Sequence, residues 1–307
     1  MLDLTLPSAL AADITWRASR QTYLTIRWLV DRDRIPHAFC AYAYFRWVDD
    51  YLDQPTCSSA NRLNFLHRQQ EVITACEQGH LPPRLTPYEN LLAVLIQSDP
   101  DPESGLRTYI HHMMSVMRFD AERRGQMVTE EELERYTHWL AVAVTEALHY
   151  FIGHHCPPPR HELRYRAATA AHIVHMLRDT YEDTALGYFN FPREIAEAAH
   201  ILPQDIHSPP YRDWVRNRVE RAREDFQSGR AYLAQVPNLR CRLAGYAYIG
   251  RFAGLLETIE RENYALRPTY SECKHPFRGL SMLTSALWQT FLPSRTRATG
   301  LTTSKAG

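Results

Sequence analysis

The chain has 307 residues, with 35 Lys and Arg against 35 Asp and Glu, and 45% of its residues are hydrophobic. This length and composition are sufficient for a large buried core. A net charge of zero without a long basic run argues against non-specific binding to nucleic acids, because such binding requires many phosphates to be neutralised. No nucleic-acid partner is therefore expected.

The cysteines and the N-terminus indicate the compartment. The six cysteines are scattered without a Cys-x-x-Cys pair, and the N-terminus lacks a basic stretch followed by an apolar core. This pattern predicts reduced thiols in a cytoplasmic protein without a structural zinc. The longest nearly apolar stretch, 140–153, is shorter than the roughly 20 residues of a membrane-spanning helix. No transmembrane segment is expected.

Helical periodicity dominates the chain. Apolar residues recur at helical spacing, whereas no long two-residue alternation with hairpin turns occurs, so an all-α fold is predicted. Clusters of Pro, Gly, Asn and Asp, which delimit about eight or more helices, lie near residues 31–36, 54–59, 79–87, 98–104, 125–129, 156–159, 202–210 and 235–238. No linker separates two domains, so one domain is predicted over 1–292, followed by a disordered tail over 293–307.

The middle of the chain carries a helix-start signal. Thr129 is followed by Glu130, Glu131 and Glu132, an arrangement typical of a capping box. A long helix is therefore predicted to begin here and to continue to about Phe151, with its middle in the core.

A first pair of carboxylates follows the apolar run 38–48. On a helix, Asp49 and Asp53 lie one turn apart on one face, with Arg46 beside them. Like charges at this spacing repel each other, whereas a divalent cation would make the pair favourable. The alternative is a solvated acidic end of the helix, just before Gln54.

A second ladder consists of His175, Asp179 and Asp183 at four-residue spacing, again with an arginine, Arg178, beside it. Mg²⁺ takes oxygen ligands and typically shares them between a few carboxylates, water and substrate phosphates. Two facing aspartate helices are thus predicted to hold a cluster of Mg²⁺ ions that binds a diphosphate. The same ions could draw off diphosphate as a leaving group, which would leave a carbocation in an apolar, aromatic cavity.

These segments resemble the squalene/phytoene synthases. Residues 42–53 resemble the first aspartate motif of that family, and residues 177–183 resemble the second. Further similar segments are the flap at 19–23, Met117 with Asp120 and the pocket helix at 136–145, and the last helix at 259–264 followed by Lys274. The order and spacing of the motifs are more specific than either motif alone.

The resemblance implies a single-domain isoprenoid synthase helical bundle with a central apolar cavity. It implies head-to-head joining of two prenyl diphosphates, of C15 or C20 length, through a cyclopropyl intermediate to a squalene- or phytoene-like product. Three Mg²⁺ ions would act with the bound diphosphate. NADPH use, peripheral contact with a membrane and the oligomeric state stay open.

The resemblance also assigns roles to individual residues. It implies catalytic roles for Arg46 and the aspartates at positions 49, 53, 179 and 183, with the same four aspartates as Mg²⁺ ligands. It implies substrate binding by Thr22, Tyr23, Tyr42, Tyr136, Ala141, Thr145, His175, Arg178 and Lys274.

Five positions depart from the family pattern. His172 and His175 stand where the family has Gln and Asn, Tyr188 and Asn190 replace an Arg and a Tyr, and Thr145 replaces a small Gly. These departures leave the product open. A terpene cyclase that acts on one prenyl diphosphate is the first alternative, and a lapsed prenyl-lipid-binding protein is the second.

Two other kinds of metal site are compatible with parts of the sequence. Glu146 with His149 and Glu197 with His200 give the Glu-x-x-His pairs of di-iron bundles, although the second pair lies in a short stretch between prolines. The two histidines at 172 and 175 with Asp179 could instead bind a transition metal in a phosphohydrolase, because imidazole suits zinc or iron better than Mg²⁺.

Overall fold

The structure is a computed structural model that describes residues 5–54 and 56–270. Within these residues the chain forms eleven α-helices and two short 3-10 turns, at Arg32–Arg34 and Glu162–Tyr165. The helices are α1 (Thr5–Ala18), α2 (Arg20–Leu29), α3 (Ile35–Leu52), α4 (Ser59–Glu77), α5 (Pro87–Gln97), α6 (Gly105–Arg123), α7 (Glu130–Phe151), α8 (Arg166–Leu186), α9 (Arg193–Ala199), α10 (Pro209–Leu233) and α11 (Leu239–Arg261). The described β structure is a single bridge between Met127 and Phe189, so the all-α prediction is confirmed.

The predicted helix-start signal is confirmed at α7. The Thr129 hydroxyl accepts a hydrogen bond from the Glu132 backbone N–H, and the Glu132 carboxylate accepts one from the Thr129 N–H. The helix ends at Phe151, as its sequence pattern predicts. Two backbone N–H groups at the start of the helix, which have no intrahelical partner, are thereby satisfied.

Four helices, α3, α6, α7 and α8, pack around one interior space. Helix α6 packs on α7, α7 packs on α8, and α3 contacts α6, while α10 and α11 support the outer side of α8. The fully buried aromatic side chains of Tyr44, Phe191 and Tyr211 fill the core beside these helices. The result is a bundle in which α3 and α8, the two helices with aspartate ladders, can face the same interior space.

The remaining descriptive predictions concern the cysteines and the membrane. The five cysteines within the described residues are free thiols, and Cys273 lies outside those residues. Among the helices described between residues 5 and 270, none combines the length and apolar character of a membrane span. The predicted tail at 293–307 lies outside the described residues, so that prediction stays open.

Candidate active site

A cavity of about 330 Å³ lies where α3, α6, α7 and α8 meet. Its acidic lining is Asp49, Asp53, Asp120, Asp179, Glu182 and Asp183, and the guanidinium that lines it belongs to Arg123. Leu52, Met117 and Met176 add apolar surface. Six carboxylates against one guanidinium leave an excess of negative charge, which makes the cavity a place for cations.

The first ladder lies at the C-terminal end of α3. Asp49 is in the last turn, and Asp53 is the residue that ends the helix, with its N–H donating to the Asp49 carbonyl over 3.0 Å. Arg46 turns to Asp50, with which it forms a hydrogen bond, and its Nη1 lies 3.5 Å from Asp49 Oδ2. Burial and the neighbouring Asp53 raise the pKa of Asp49 to about 6.

The second ladder lies on α8 and has internal cationic partners. Arg178 donates two hydrogen bonds of 2.6 Å to Asp179, from Nε and Nη2, and His175 Nε2 lies 2.9 Å from Asp179 Oδ2. Although burial opposes them, these bonds hold the pKa of Asp179 below its ordinary value. By contrast, burial and the charge of Asp179 raise the pKa of Asp183 to about 7.

A hydrogen-bonded chain joins α6 to the far end of the second ladder. Arg123 Nε donates to Asp120 Oδ1 and Arg123 Nη1 donates to Asn190 Oδ1, each over 2.8 Å. The Asn190 amide then donates to Asp183 Oδ2 over 2.8 Å. From α7, the Tyr136 hydroxyl donates to Asp120 Oδ2 over 2.9 Å. This chain of hydrogen bonds holds Asp183, which lines the cavity, through its Oδ2 atom.

Local backbone structure brings Asn190 to this position. Gly187 ends α8 with a left-handed φ of 87°, and its carbonyl accepts the Gly125 N–H over 2.8 Å. That conformation favours glycine because a Cβ would be strained there. The chain then turns back over the end of α6, where the Tyr188 ring lies 5.3 Å from the Arg123 guanidinium.

Sequence reasoning did not predict the roles of Asp120, Arg123 and Asn190. The spacing of Asp120 and Arg123, three residues apart on α6, was an available signal for an ion pair, which the structure shows. The partner of Arg123 is 67 residues away in the chain, and no local pattern indicates it. The departure at Asn190 was visible in the sequence, but its partners were not.

The predicted site residues fall into three groups. Those that line the cavity are Asp49, Asp53, Tyr136, His175, Asp179 and Asp183. Those that are not part of that lining are Thr22, Tyr23, Tyr42, Arg46, Ala141, Thr145 and Arg178. Lys274 lies outside the described residues. The functional roles of all these residues stay predictions.

The second group is spread over four helices, α2, α3, α7 and α8. On α2, Tyr23 packs on Trp16 and Phe39, with ring centroids 5.0 and 5.2 Å apart. Ala141 and Thr145 are buried in α7.

The di-iron alternative finds no support among the described residues. Glu146 is bound by Arg164 and by the Tyr165 hydroxyl, and His149 lies within hydrogen-bond distance of Tyr232 and Cys241. His200 follows the seven-residue helix α9 in a left-handed conformation with φ 52°.

The three candidate ligands of the transition-metal alternative, His172, His175 and Asp179, all line the aspartate cavity. Two of them are paired with each other, because His175 Nε2 lies 2.9 Å from Asp179 Oδ2. His172 is buried against the Tyr136 ring, and burial together with His175 holds the pKa of His172 well below its usual value. In the described part of the chain, no three His, Cys, Asp or Glu side chains form a group that could hold a metal ion by itself.

The donor set nevertheless fits Mg²⁺ that is shared with a ligand. The cavity carboxylates offer oxygen atoms, which Mg²⁺ prefers, and Mg²⁺ usually binds through one or two carboxylates and completes its shell with waters and substrate phosphates. The raised pKa values of Asp49 and Asp183 have the same origin, because each is a half-buried carboxylate beside another carboxylate. A cation supplied with a phosphate ligand would relieve that repulsion.

Comparisons with known proteins identify the family and the fold. The family model described as squalene/phytoene synthase matches residues 16–278. The crystal structure of squalene synthase HpnC from Alicyclobacillus acidocaldarius has 21% identity and a TM-score of 0.67, covering 86% of this chain and 97% of that one. A dehydrosqualene synthase in complex with ligand has 16% identity and a TM-score of 0.71, covering 92% and 96%. At these identities the likeness to the two structures concerns the fold. A search of curated protein sequences found no match.

Proposed function

Because the chain belongs to the squalene/phytoene synthase family, we propose that it joins two prenyl diphosphates head to head with loss of diphosphate. The products would be squalene- or phytoene-like hydrocarbons made from C15 or C20 substrates. The observation that carries the proposal is the convergence of both aspartate ladders on one cavity beside Arg123 and Tyr136. A lapsed lipid-binding protein would have no need for this concentration of repelling carboxylates.

The proposal includes Mg²⁺ as the cofactor. Asp49 and Asp53 on one side and Asp179 and Asp183 on the other would hold the ions together with diphosphate oxygens. When bound, Mg²⁺ supplies positive charge that stabilises the departing diphosphate. The residues at the cavity therefore bind the headgroup rather than the hydrocarbon.

Other residues of the cavity would orient the metal-binding carboxylates and form the cavity wall. Asp120, Arg123 and Asn190 hold Asp183 at a fixed orientation through the hydrogen-bonded chain. The Arg123 guanidinium lies over the face of the Tyr136 ring, 4.8 Å from its centroid, a cation–π contact that holds Arg123 at the cavity wall. When the carbon–oxygen bond breaks, the electron pair leaves with diphosphate and an allylic cation remains.

Product analysis is the test of the proposed reaction. The enzyme is incubated with C10, C15 or C20 diphosphate and Mg²⁺, with and without NADPH, and the products are identified by mass spectrometry. A hydrocarbon with twice the carbon number of the substrate is expected. A cyclised product with the substrate's own carbon number would instead identify a terpene cyclase, and release of no diphosphate from any substrate would contradict both.

His175 is the departure that could change the product. Its Nε2 lies 2.9 Å from Asp179, where it shares that carboxylate with Arg178. We expect His175→Asn to alter the Mg²⁺ dependence or the product ratio, because Asp179 loses one of its two partners. Unchanged Mg²⁺ dependence, product ratio and pH profile would exclude His175 from the site.

A further inference from the structure

A second cavity, of about 390 Å³, lies outside the aspartate site. Helices α7, α8 and α10 and the turn Glu162–Tyr165 form it, and it shares no lining residue with the aspartate cavity. Thr137 and Ile173 line it, whereas their chain neighbours Tyr136 and His172 line the aspartate cavity. The two cavities thus flank the same pair of helices.

The distinctive residue of this second cavity is Arg218 on α10. Its exposed fraction is 6%, and within the described residues it forms no hydrogen bond or ion pair, with Nε buried and unpartnered. Burial of a guanidinium is unfavourable unless an anion forms hydrogen bonds with it. Burial and the neighbouring Arg221 lower the pKa of Arg218 to about 10, although the carboxylates of Glu134, Glu130 and Asp225 act in the opposite direction.

The nearest acids are already engaged by other arginines. Arg221 Nη1 lies 2.5 Å from Glu134 Oε1, and Arg166 Nη1 lies 3.0 Å from Asp225 Oδ1. The second oxygen of Asp225 lies 4.0 Å from Arg221 Nε and forms no hydrogen bond among the described residues. Arg135, which also lines the cavity, lies 3.9 Å from Glu131. Among the described residues, Arg218 is thus the arginine of this lining that forms no ion pair.

We propose that the Arg218 cavity binds a small anion that carries a phosphate group. A guanidinium presents its N–H donors in a planar fork that matches phosphate oxygens, and desolvation strengthens such charged hydrogen bonds. Glu131, Glu134 and Glu162 line the same cavity and would repel a large polyanion. A free phosphate or a diphosphate therefore suits the site better than a nucleotide triphosphate or a nucleic acid. This site does not depend on the proposed prenyl transfer.

Calorimetry in EDTA separates this site from the aspartate cavity. Without Mg²⁺ the aspartate cavity carries excess negative charge and repels anions, so binding of inorganic phosphate or inorganic diphosphate would report the Arg218 cavity. We expect one equivalent to bind to the wild type and to Asp49→Asn alike. Arg218→Gln should weaken binding by at least about 10-fold, since it removes a charged donor. The matched control is Arg216→Gln, because Arg216 is on the same helix, pairs with Asp213 and does not line the cavity, so this variant should bind as the wild type does.

The two anions distinguish the source of the phosphate group, since the tighter ligand identifies it. Arg218→Lys, which keeps the charge but loses the fork, should retain part of the affinity and guards against a folding defect in Arg218→Gln. Circular dichroism would verify that each variant is folded. Absence of saturable binding by the wild type, or equal binding by folded Arg218→Gln, would overturn the proposal.

Discussion

The ladders on α3 and α8 border the same cavity, but their carboxylates differ in how many cationic side chains they contact. Asp49 has one weak cationic neighbour, Arg46, at 3.5 Å, and its pKa is raised to about 6. Asp179 receives two 2.6 Å hydrogen bonds from Arg178 and a contact from His175, and its pKa is lowered. The charge of the first ladder is therefore largely uncompensated, so this ladder favours binding of an external cation. The charge of the second ladder is partly neutralised by Arg178 and His175 of the same helix.

The two aspartates of the second ladder differ from each other, because the pKa of Asp179 is lowered and that of Asp183 is raised. The pKa of Asp183 is raised to about 7 even though Asn190 donates to it, because burial and the Asp179 carboxylate outweigh that bond. Each helix therefore has at least one carboxylate, Asp49 on α3 and Asp183 on α8, whose negative charge is not fully compensated by a cationic side chain. This explains how helices of unlike sequence can contribute to one shared site.

The largest effect is expected from removing a carboxylate of either ladder. Asp49→Asn or Asp179→Asn should reduce turnover of the prenyl diphosphate by at least about 100-fold, because each change removes a charge that faces the metal–diphosphate site. Steady-state kinetics on folded protein would measure it. Asp50→Asn is the matched control, since Asp50 is on the same helix but does not line the cavity. Near-normal turnover by either ladder variant would contradict the claim that both ladders contribute to one metal–diphosphate site.

A smaller effect is expected from the residue that orients Asp183. Asn190→Ala removes the link between Arg123 and Asp183, and we expect the Mg²⁺ concentration at half-maximal rate to rise by about 10-fold to 100-fold. Excess Mg²⁺ should restore much of the rate, which a purely structural defect would not allow. Asn217→Ala, at an exposed position of α10, is the control. An unchanged Mg²⁺ dependence would remove Asn190 from the site.

Some features of this site could be predicted from the sequence, and others depend on contacts between residues that are distant in the chain. The Thr129 capping box and the one-turn spacing of Asp49 and Asp53 are local features, and local rules predicted them. The bond between Arg123 and Asn190 spans 67 residues and depends on how the segment after α8 folds back over the end of α6, so no periodicity could reveal it. The resemblance implied a catalytic role for Arg46, and its four-residue spacing from Asp50 on α3 was a local signal for the ion pair that the structure shows.

The raised pKa values predict how stability depends on pH without metal. Asp49 and Asp183 have folded pKa values of about 6 and about 7, above the ordinary value of 3.8, so the native state binds more protons than the unfolded state between these limits. The contribution of these two carboxyls to the free energy of unfolding should therefore fall as pH rises from about 4 to 7, whereas His149 and His172, whose pKa values are lowered by burial, contribute in the opposite sense below their ordinary value of 6.5. The histidines are common to the wild type and Asp183→Asn, so the difference in free energy of unfolding between the two, measured by chemical denaturation in EDTA, isolates Asp183 and should shift against the wild type over this range. The same pH dependence in both proteins would be inconsistent with the account.

The smallest effect is expected at Arg46, the weak neighbour of the first ladder. Arg46→Lys keeps the charge but loses the fork, and the side chain is exposed, so kcat/KM should decrease by about 2- to 5-fold. A loss comparable with that of Asp49→Asn would mean that Arg46 contacts the diphosphate directly. No change at all would assign it to surface charge pairing.

The central claim is that both ladders bind the same Mg²⁺–diphosphate unit. Calorimetric titration with Mg²⁺ in saturating inorganic diphosphate tests this claim without dependence on the prenyl chain or the product. We predict tight Mg²⁺ binding by the wild type and at least about 10-fold weaker binding by both Asp49→Asn and Asp183→Asn, because each loses a ligand to the shared ions. Mg²⁺ binding that is unaffected by the loss of either ladder's aspartate would contradict the claim.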